Sequence, residues 1–541
     1  MMDDPTAVLD AGRLEFARGD WQAAHRDLSR ARNLGALSTA DLDLLSRATW
    51  WVGAARESLD LSEEVFDRYQ QEGDPTGAAM KALNIGLLWF IRGDIVIASG
   101  WVNRARRILA ELPEGVEHGY LRYLEAVVEM DFFGVGPARE TAATLREMGR
   151  RYHAPQLTSL GLVLSGLADA HTGDPAGGFA QLDEAMLPVL AGQMPPEWAG
   201  DVYCTVIHIC HNLGDLSRMR AWTAATEQWC EQFRGEVVYS GICRIHRLQL
   251  LCTEGDWTTA EAGIVRSGAE LAGVNNWVAG EAYYQLGEIR RLRGDTTGAR
   301  ESFDRAHELG AEIQPGAALL DLTQGRVREA GAALRATMAG RDRLACARLL
   351  GPAVEIAIAE GRVDEADRLC RDLETIAAEY ATEGFRAWAV HARAAVLVAR
   401  KRHEEALPVL RRAAAGYRTL RARYETARIY ELCATAHTGL GDDAAAESDL
   451  ATAVAIYAEL GALPDVARLG TVPLPGGLTA REAEVLRQIA AGASNRDAAA
   501  ALFISVKTVD RHLANIFTKI DVSSRTAAAA WAHEHRLTRL G

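Results

Sequence analysis

The sequence predicts an all-α protein, in which a long α-solenoid of about 11–12 helical hairpins precedes a small four-helix domain. Two observations support this prediction. Short turns, most of them built around glycine, recur every 31 to 41 residues up to about residue 463. The last sixty or so residues instead contain four helical segments with capping and stop signals of their own, and the third segment is strongly amphipathic.

The repeat is marked by turn tetrapeptides such as ARGD at 17–20, IRGD at 91–94 and LRGD at 292–295. Glycine in such a turn supplies the left-handed conformation between two antiparallel helices. The turn positions, including weaker members at 53, 134 and 401, are 19, 53, 93, 134, 173, 214, 255, 294, 325, 361, 401 and 441. A small residue that allows close helix crossing commonly follows five positions later, as at Ala24, Ala98, Ala260, Ala299, Ala330, Ala366, Ala406 and Ala446.

Each unit is a helical hairpin that cannot bury its own apolar face, so neighbouring hairpins must stack to form a core. The pattern resembles tetratricopeptide repeats with a longer period. We therefore expect a solenoid sensor or interaction domain over residues 1–465. Proline and glycine cluster from Leu463 to Gly477, which predicts an interdomain linker at 466–477 and a separate domain at 478–541.

The C-terminal domain begins with a capping box, in which Thr479 is the N-cap and Glu482 follows three residues later. Gly492 is the expected stop of this first helix, and Ser494 is the expected cap of the second. The four predicted helices run from about 480 to 491, 495 to 502, 505 to 520 and 524 to 535. Two helices joined by a short turn are typical of helix-turn-helix geometry.

The third helix has one apolar face and one polar face, and Ser505 is its expected N-cap. The inward residues recur at helical spacing and are Val506, Val509, Leu513, Ile516, Phe517 and Ile520. The residues that project from the opposite face are Lys507, Arg511, Ala514, Asn515 and Thr518. A helix of this kind fits the major groove of DNA.

The same residues closely resemble the DNA-binding module of LuxR/FixJ-type transcription regulators, over about 478 to 536. Regulators of this type can carry the module after a helical superhelix. The matching positions are Leu478, Thr479, Arg481, Glu482, Glu484, Val485, Leu486, Gly492, Ser494, Asn495, Ile504, Ser505, Thr508, Val509, His512, Ile516, Lys519, Val522 and Arg525. The sequence departs from the family at Asp497-Ala498-Ala499 and at Asp510, where a basic residue is common.

The predicted DNA contacts divide into base-reading and phosphate-binding residues. Arg511, flanked by Asp510 and Ala514, is placed for base edges, since arginine can pair bidentately with guanine. Asp510 either accepts from a cytosine amino group or orients Arg511, and we favour the second. The residues assigned to phosphates are Ser505, Lys507, Thr508, Asn515, Lys519 and Arg525. The resemblance adds Asn495 and His512 to the DNA-binding set.

The fourth helix carries a face of small residues, Ala527 to Ala530, followed by Trp531. In the family such a helix pairs two DNA-bound modules, which implies a homodimer on a palindromic site through Ala527, Ala530 and Trp531. Packing within the module is the alternative for part of this face.

Charge is unevenly distributed along the chain. The formal net charge is −14, yet residues 478–541 hold nine Lys and Arg against six Asp and Glu, a net charge of +3 that leaves −17 for the rest. An acidic body leaves DNA contact to the C-terminal module. We expect a cytoplasmic protein, because the N-terminus lacks a signal-peptide pattern and the eight cysteines are most simply free thiols.

The leading hypothesis is a bacterial transcription regulator that binds double-stranded DNA and whose solenoid senses a small molecule or protein partner. The resemblance implies RNA polymerase as a partner and favours an activator. The alternative is an interaction scaffold whose degenerate helix-turn-helix no longer binds DNA. An enzyme is disfavoured, because no lysine follows a glycine as a P-loop requires. No cofactor is expected.

Two further groups of residues are candidate sites. Cys204, His208 and His211 share one helical face at metal-ligand spacing, but ordinary packing is favoured. Ten of the twelve tryptophans precede residue 280. Most are expected between repeats, and a tryptophan-rich ligand groove in the N-terminal half is the other interpretation.

Overall fold

The computed structural model describes residues 4–35, 37–133, 135–231, 238–469, 475–502, 504–535 and 537. Within these ranges the chain forms 29 α-helices and one turn of 3-10 helix, and no β-strand. Helices α1 to α24 pair in order into twelve hairpins, and the partners within each hairpin pack against each other. The predicted fold class and the predicted number of hairpins are confirmed.

The first helices of the hairpins are α1 (Pro5–Ala17), α3 (Thr39–Trp51), α5 (Pro75–Arg92), α7 (Val116–Phe133), α9 (Pro155–His171), α11 (Pro196–Asn212), α13 (Val238–Glu254), α15 (Asn276–Arg293), α17 (Gly316–Thr323), α19 (Arg343–Ala359), α21 (Glu383–Ala399) and α23 (Arg423–Leu440). The second helices are α2 (Trp21–Leu34), α4 (Ala55–Glu72), α6 (Ile95–Leu109), α8 (Gly136–Arg151), α10 (Pro175–Leu190), α12 (Leu216–Glu231), α14 (Trp257–Leu271), α16 (Thr296–Glu308), α18 (Val327–Met338), α20 (Val363–Tyr380), α22 (His403–Leu420) and α24 (Asp443–Leu460). A short helix, α25 (Leu463–Arg468), follows the last hairpin.

The predicted turn residues adopt the conformation that the sequence implied. Eleven of the twelve are described, and each has a positive φ, from 59° at Lys401 to 94° at Gly173. Position 134 lies outside the described residues. Lys401 adopts the left-handed conformation although it is not glycine. The degenerate turn therefore keeps its geometry, at the cost of backbone strain at a residue that has a Cβ atom.

The residue after the turn glycine often caps the second helix. Aspartates at this position accept a hydrogen bond from a backbone N–H in the first turn of the helix, as at Asp20, Asp174, Asp256, Asp295 and Asp442. The small residue that follows is buried, as predicted for close crossing, with Ala24 and Ala98 fully inaccessible. A Gly-Asp pair therefore ends one helix and starts the next.

Successive hairpins wind into a tight superhelix, in which several first helices contact the helix ten positions later in the chain. The contacts join α3 with α13, α5 with α15, α13 with α23 and α15 with α25. Between turns, the Gly384 N–H donates to the carbonyl oxygen of Gly214 at 3.0 Å. A Cβ on Gly384 would lie 2.6 Å from that oxygen, so the approach requires glycine.

Helix α25 continues the solenoid past the predicted domain boundary at residue 465. Val466 is buried, Tyr424 donates to the Asp465 carboxylate at 3.0 Å, and Arg468 forms a bidentate pair with Glu431 at 2.6 and 2.8 Å. The first residues of the predicted linker are therefore helical and packed. Residues 470–474 of that linker lie outside the described residues, and Pro475–Gly477 form the 3-10 turn.

The tryptophans of the N-terminal half are core residues, although Trp257 also lines a small space of about 220 Å³. Six of the ten are buried, and the other four pack partly exposed against the same core. Trp198 on α11 donates to Asn84 on α5 at 3.2 Å, and its ring lies 4.5 Å from that of Tyr120 on α7. Aromatic side chains thus fill the inside of this superhelical turn, as the packing interpretation expected.

The candidate metal residues also serve as packing residues. Asn212 bonds the His208 Nε2 atom at 2.6 Å, the His208 ring stands edge-on to Trp277, and burial lowers the pKa of His208 to about 3. In the described ranges, no three His, Cys, Asp or Glu side chains are grouped to hold a metal ion. All eight cysteines are free thiols. None of the helices that the structure describes combines the length and the apolar character needed to cross a lipid bilayer.

One buried carboxyl inside the N-terminal turn titrates abnormally. Tyr123 on α7 donates to the Asp201 carboxylate on α11 at 2.8 Å. Burial raises the pKa of Asp201 from 3.8 to about 6, although the hydrogen bond from Tyr123 opposes this rise. The folded protein therefore holds a proton between about pH 4 and 6 that the unfolded chain releases.

Replacing Asp201 by Asn keeps an acceptor for Tyr123 and removes the titrating group. In the wild type, the free energy of unfolding falls as the pH rises through the window from about 4 to 6, by roughly 2–3 kcal/mol from this group. We expect Asp201→Asn to lose this part of the pH dependence and to be more stable than the wild type at pH about 7. Urea unfolding at pH about 4.5 and about 7 measures both effects.

Asp304→Asn, on the exposed surface of α16, is the matched control and should follow the wild type. If the free energy of unfolding depended on pH in the same way in the wild type and in Asp201→Asn, the buried carboxyl would not be the titrating group.

Candidate nucleic-acid interface

Four helices form the C-terminal domain: α26 (Ala480–Ala490), α27 (Asn495–Ala501), α28 (Val506–Lys519) and α29 (Arg525–Glu534). The first three begin at their predicted caps, and the fourth is capped by Ser524. Thr479 and Ser494 both form capping boxes, with Glu482 and Asp497 respectively, and the hydroxyls of Ser505 and Ser524 accept backbone hydrogen bonds. The stop at Gly492 has a φ of 87°, as predicted for the end of the first helix.

The inward face of α28 holds the domain together. Val509, Leu513, Ile516 and Ile520 are buried in a cluster with residues of the other three helices. Val506, also predicted to face inward, is 43% exposed. It occupies the first position of α28 and lies outside that cluster, so its apolar side chain is not covered.

The outward face of α28 carries side chains without internal partners. Lys507, Arg511 and Asn515 are exposed, and the structure shows no hydrogen bond or ion pair from them to any described residue. Ala514 is exposed beside them. These side chains are available to an external ligand, and two of them are cationic.

Two more predicted contacts lie at or near the start of α28. The hydroxyls of Ser505 and Thr508 lie 2.7 Å apart, and the Thr508 N–H donates to the Ser505 hydroxyl. Thr508 and His512 are half-buried and flank the exposed face. The start of α28 therefore presents a capped helix N-terminus, whose partial positive charge favours an anion.

Three residues assigned to DNA contact bond to one another instead. The Asn495 side-chain amide donates to Asp510 at 2.6 Å, and Arg525 donates to the Asn495 oxygen at 2.6 Å and also to the carbonyl of Ala493. This chain of bonds links α27, α28 and α29. Asp510 therefore pairs with α27 and shows no bond to Arg511, which points about 100° away on the helix.

Lys519 is also engaged within the domain. Its ammonium donates to Glu482 at 2.7 Å, and the Glu482 side chain is only 5% exposed. The same carboxylate accepts from the Thr479 N–H at 2.8 Å. Desolvation would raise the pKa of Glu482, but the hydrogen bonds from Lys519 and Thr479 hold it below its usual value. Lys519 therefore neutralises a buried capping carboxylate and does not point away as a free cation.

The fourth helix divides its small residues between two directions. Ala528 and Ala532 are fully buried in the domain core, whereas Ala527 and Trp531 are half-buried and Ala530 is exposed. The Trp531 ring stacks on His535 at 4.1 Å. Part of the predicted pairing face is thus core, and a narrower strip remains accessible.

One cation in the domain was missed by the sequence analysis. Arg496 is exposed at the second position of α27, adjacent to Asn495. Its position in the first turn of a helix of the helix-turn-helix was the available signal. Basic side chains near helix starts are suited to phosphate contact.

Replacing Lys519 by Ala should destabilise the C-terminal domain, because Glu482 is then buried without its cation. We expect a loss of roughly 1–2 kcal/mol, seen as faster hydrogen exchange of residues 480–534 in the full chain. Lys507→Ala, at an exposed position without a partner, is the matched control and should leave exchange unchanged. Equal exchange in both variants would contradict the role of the Lys519–Glu482 pair.

Residues 477–532 match the family model described as "Bacterial regulatory proteins, luxR family". The transcriptional regulatory protein LiaR of Bacillus subtilis is 50% identical over 60 residues, which are 11% of this chain and 28% of LiaR. The response regulator protein VraR of Staphylococcus aureus is 47% identical over 60 residues, which are 11% of this chain and 29% of VraR. The chain therefore spans less than a third of the length of these relatives.

Among solved structures, the Rap protein complexed with competence and sporulation factor is 12% identical to this chain, with a TM-score of 0.38. The alignment covers 71% of this chain and 98% of that one. The helical-repeat architecture is defined by the twelve hairpins themselves. The four capped helices and the family match together identify the C-terminal part of this chain as a luxR-family helix-turn-helix domain, homologous to LuxR-type regulators.

Proposed function

We propose that this protein is a sequence-specific DNA-binding transcription regulator of the bacterial cytoplasm. The observation that carries the proposal is the outward face of α28, where Lys507, Arg511 and Asn515 are exposed without internal partners in a luxR-family domain. In a helix-turn-helix, the second helix enters the major groove and its outward side chains reach base edges.

Within this proposal, Arg511 reads a base and the surrounding groups hold phosphates. A guanidinium on the exposed face can donate two parallel hydrogen bonds to guanine. Lys507, Arg496 and the capped start of α28 are suited to phosphate oxygens, which fix the register of the domain on the duplex. Lys519, Asn495, Asp510 and Arg525 act indirectly, because they hold α28 in place.

We further propose that two domains pair on DNA through the accessible strip of α29, which includes Ala527, Ala530 and Trp531. A two-fold pair of recognition helices matches a palindromic operator. Activation through RNA polymerase is the expected output.

The solenoid and the C-terminal domain carry opposite net charges, and their proposed roles differ accordingly. The solenoid, proposed as residues 1–465, carries a net charge of −18, and the domain at 478–541 carries +3. An acidic body repels DNA, so contact is restricted to the small basic domain. The solenoid is then free to bind a small molecule or a protein partner that regulates DNA binding.

Arg511→Ala should lower affinity for the preferred operator by about 1–3 kcal/mol and relax the preference at one base position. Lys507→Ala should weaken binding on every duplex alike and reduce the slope of log affinity against log salt by about 1. Mobility-shift titrations against an operator selected from a random pool, and against variants of it, measure both effects.

Arg56→Ala, an exposed position on α4, is the matched control and should bind as the wild type does. Identical losses for Arg511→Ala and Lys507→Ala on all duplexes would refute the base-reading role. No binding by the wild type at low salt would favour the alternative, an interaction scaffold with a degenerate helix-turn-helix.

A further inference from the structure

The C-terminal turn of the superhelix encloses a cavity of about 730 Å³, whereas the N-terminal turn is filled with aromatic side chains. The walls are the first helices of the hairpins, α15, α17, α19, α21 and α23, and α25 closes the ring against α15. A smaller space of about 220 Å³ adjoins it and shares lining residues with it, among them Tyr284, Arg348 and Trp388. The size is that of small-molecule sites, which are about 300–1,000 Å³.

Most of the charged side chains on the cavity wall are already paired. Arg291 bonds Glu288 at 2.8 and 2.9 Å, and Arg428 pairs with Glu355 at 2.7 Å. Arg468 on α25 is held by Glu431. Arg468 also bonds Asp465, so each of these three arginines already has a carboxylate partner and needs no anionic ligand.

Arg348 on α19 is different. It lines both spaces, and it forms no ion pair with a carboxylate in the part of the chain that the structure describes. Among the described residues, its guanidinium forms hydrogen bonds only with the ring of His211, at 3.4 and 3.5 Å. Desolvation, aided by the charge of Arg348, lowers the pKa of His211 well below its usual value, so that ring stays neutral. The charge of Arg348 interacts with that of Glu281, but Glu281 does not line the cavity.

A cation in this position needs an anion. A partly buried guanidinium without a counter-charge is costly, and its planar fork matches a carboxylate or a phosphate through two parallel hydrogen bonds. Gln249, Gln285 and Thr253 line the smaller space and can supply further hydrogen bonds.

The rest of the wall is suited to an apolar body. The rings of Tyr284, Trp388, Tyr417 and Tyr424 line the cavity, together with aliphatic side chains such as Leu319 and Val354. Glu425 also lines it and makes no ion pair within the described residues. Glu425 lines the smaller space together with Arg348, and burial raises the pKa of its carboxyl. When ionised, this carboxylate opposes the binding of an anionic group.

We propose that the C-terminal repeats bind a small organic anion, a carboxylate or a phosphate, whose charged group pairs with Arg348 and whose apolar body packs against Trp388 and Tyr284. This inference rests on the proposed function, since such a ligand would be the effector of the regulator. Asp465 and Arg468 of α25 line the same cavity, and α25 is the last solenoid helix before the DNA-binding domain. An occupied cavity can therefore act on the segment that leads to that domain.

The test uses the full chain and three matched probes: 4-phenylbutyrate, phenyl phosphate and the neutral 4-phenylbutyramide. Thermal shift and tryptophan fluorescence are read at probe concentrations up to about 10 mM, above the roughly millimolar dissociation constant expected of a fragment. We expect at least one anion to raise the melting temperature and the amide to have at least tenfold weaker affinity. The stronger of the two anions tells a carboxylate effector from a phosphate one.

Arg348→Met should abolish the shift given by the anion and, because it removes an unpaired charge, should melt no lower than the wild type without ligand. Arg343→Gln, on the same helix but at an exposed position paired with Glu379, is the matched control and should bind as the wild type does. Glu425→Gln should bind the anion at least threefold more tightly, which gives a second readout should Arg348→Met fold poorly.

Equal affinity for the acid and its amide, unchanged binding by Arg348→Met, or no binding of either anion would overturn the proposal. Mobility shifts on the same samples separate it from the proposed function. If the protein binds DNA but neither anion, only the proposed anion site is wrong. If it binds an anion but not DNA, only the proposed function as a DNA-binding regulator is wrong.

Discussion

The solenoid depends on one constraint: a helical hairpin exposes an apolar face that only another hairpin can cover. Each turn glycine keeps its two helices antiparallel, and the small residue five positions later lets them cross closely. Stacking then continues for twelve hairpins until α25, whose Val466 is buried and whose polar side chains bond Tyr424 and Glu431. Helix α25 thus packs on the last hairpin through Val466 and through these polar contacts.

The local features of this chain could be read from its sequence. Turn positions, N-caps and the amphipathic third helix of the C-terminal domain depend on residues a few positions apart, so spacing alone predicts them. The predicted caps at Thr479 and Ser505 are examples. Lys401 is the informative case, since the repeat interval placed a turn where no glycine marked it.

The features that the sequence did not reveal depend on residues far apart in the chain. Lys519 and Arg525 looked like free cations because their partners, Glu482 and Asn495, lie 37 and 30 residues away. The cavity forms only because the superhelix closes after ten helices, a curvature that helix periodicity does not encode. The tryptophans suggested a groove in the N-terminal half, but large side chains fill the space they face. The open space lies where the wall carries fewer of them.

Contact between successive turns has an evolutionary consequence. In an open array, each repeat touches only its neighbours, and a duplication lengthens the array by one unit. Here Gly214 must meet Gly384 five hairpins later, with no room for a side chain. A single duplicated hairpin between them would move every later glycine a fifth of a turn out of alignment. Growth of this gene by one repeat at a time is therefore penalised, and gain or loss of five together is the change that keeps the turns matched.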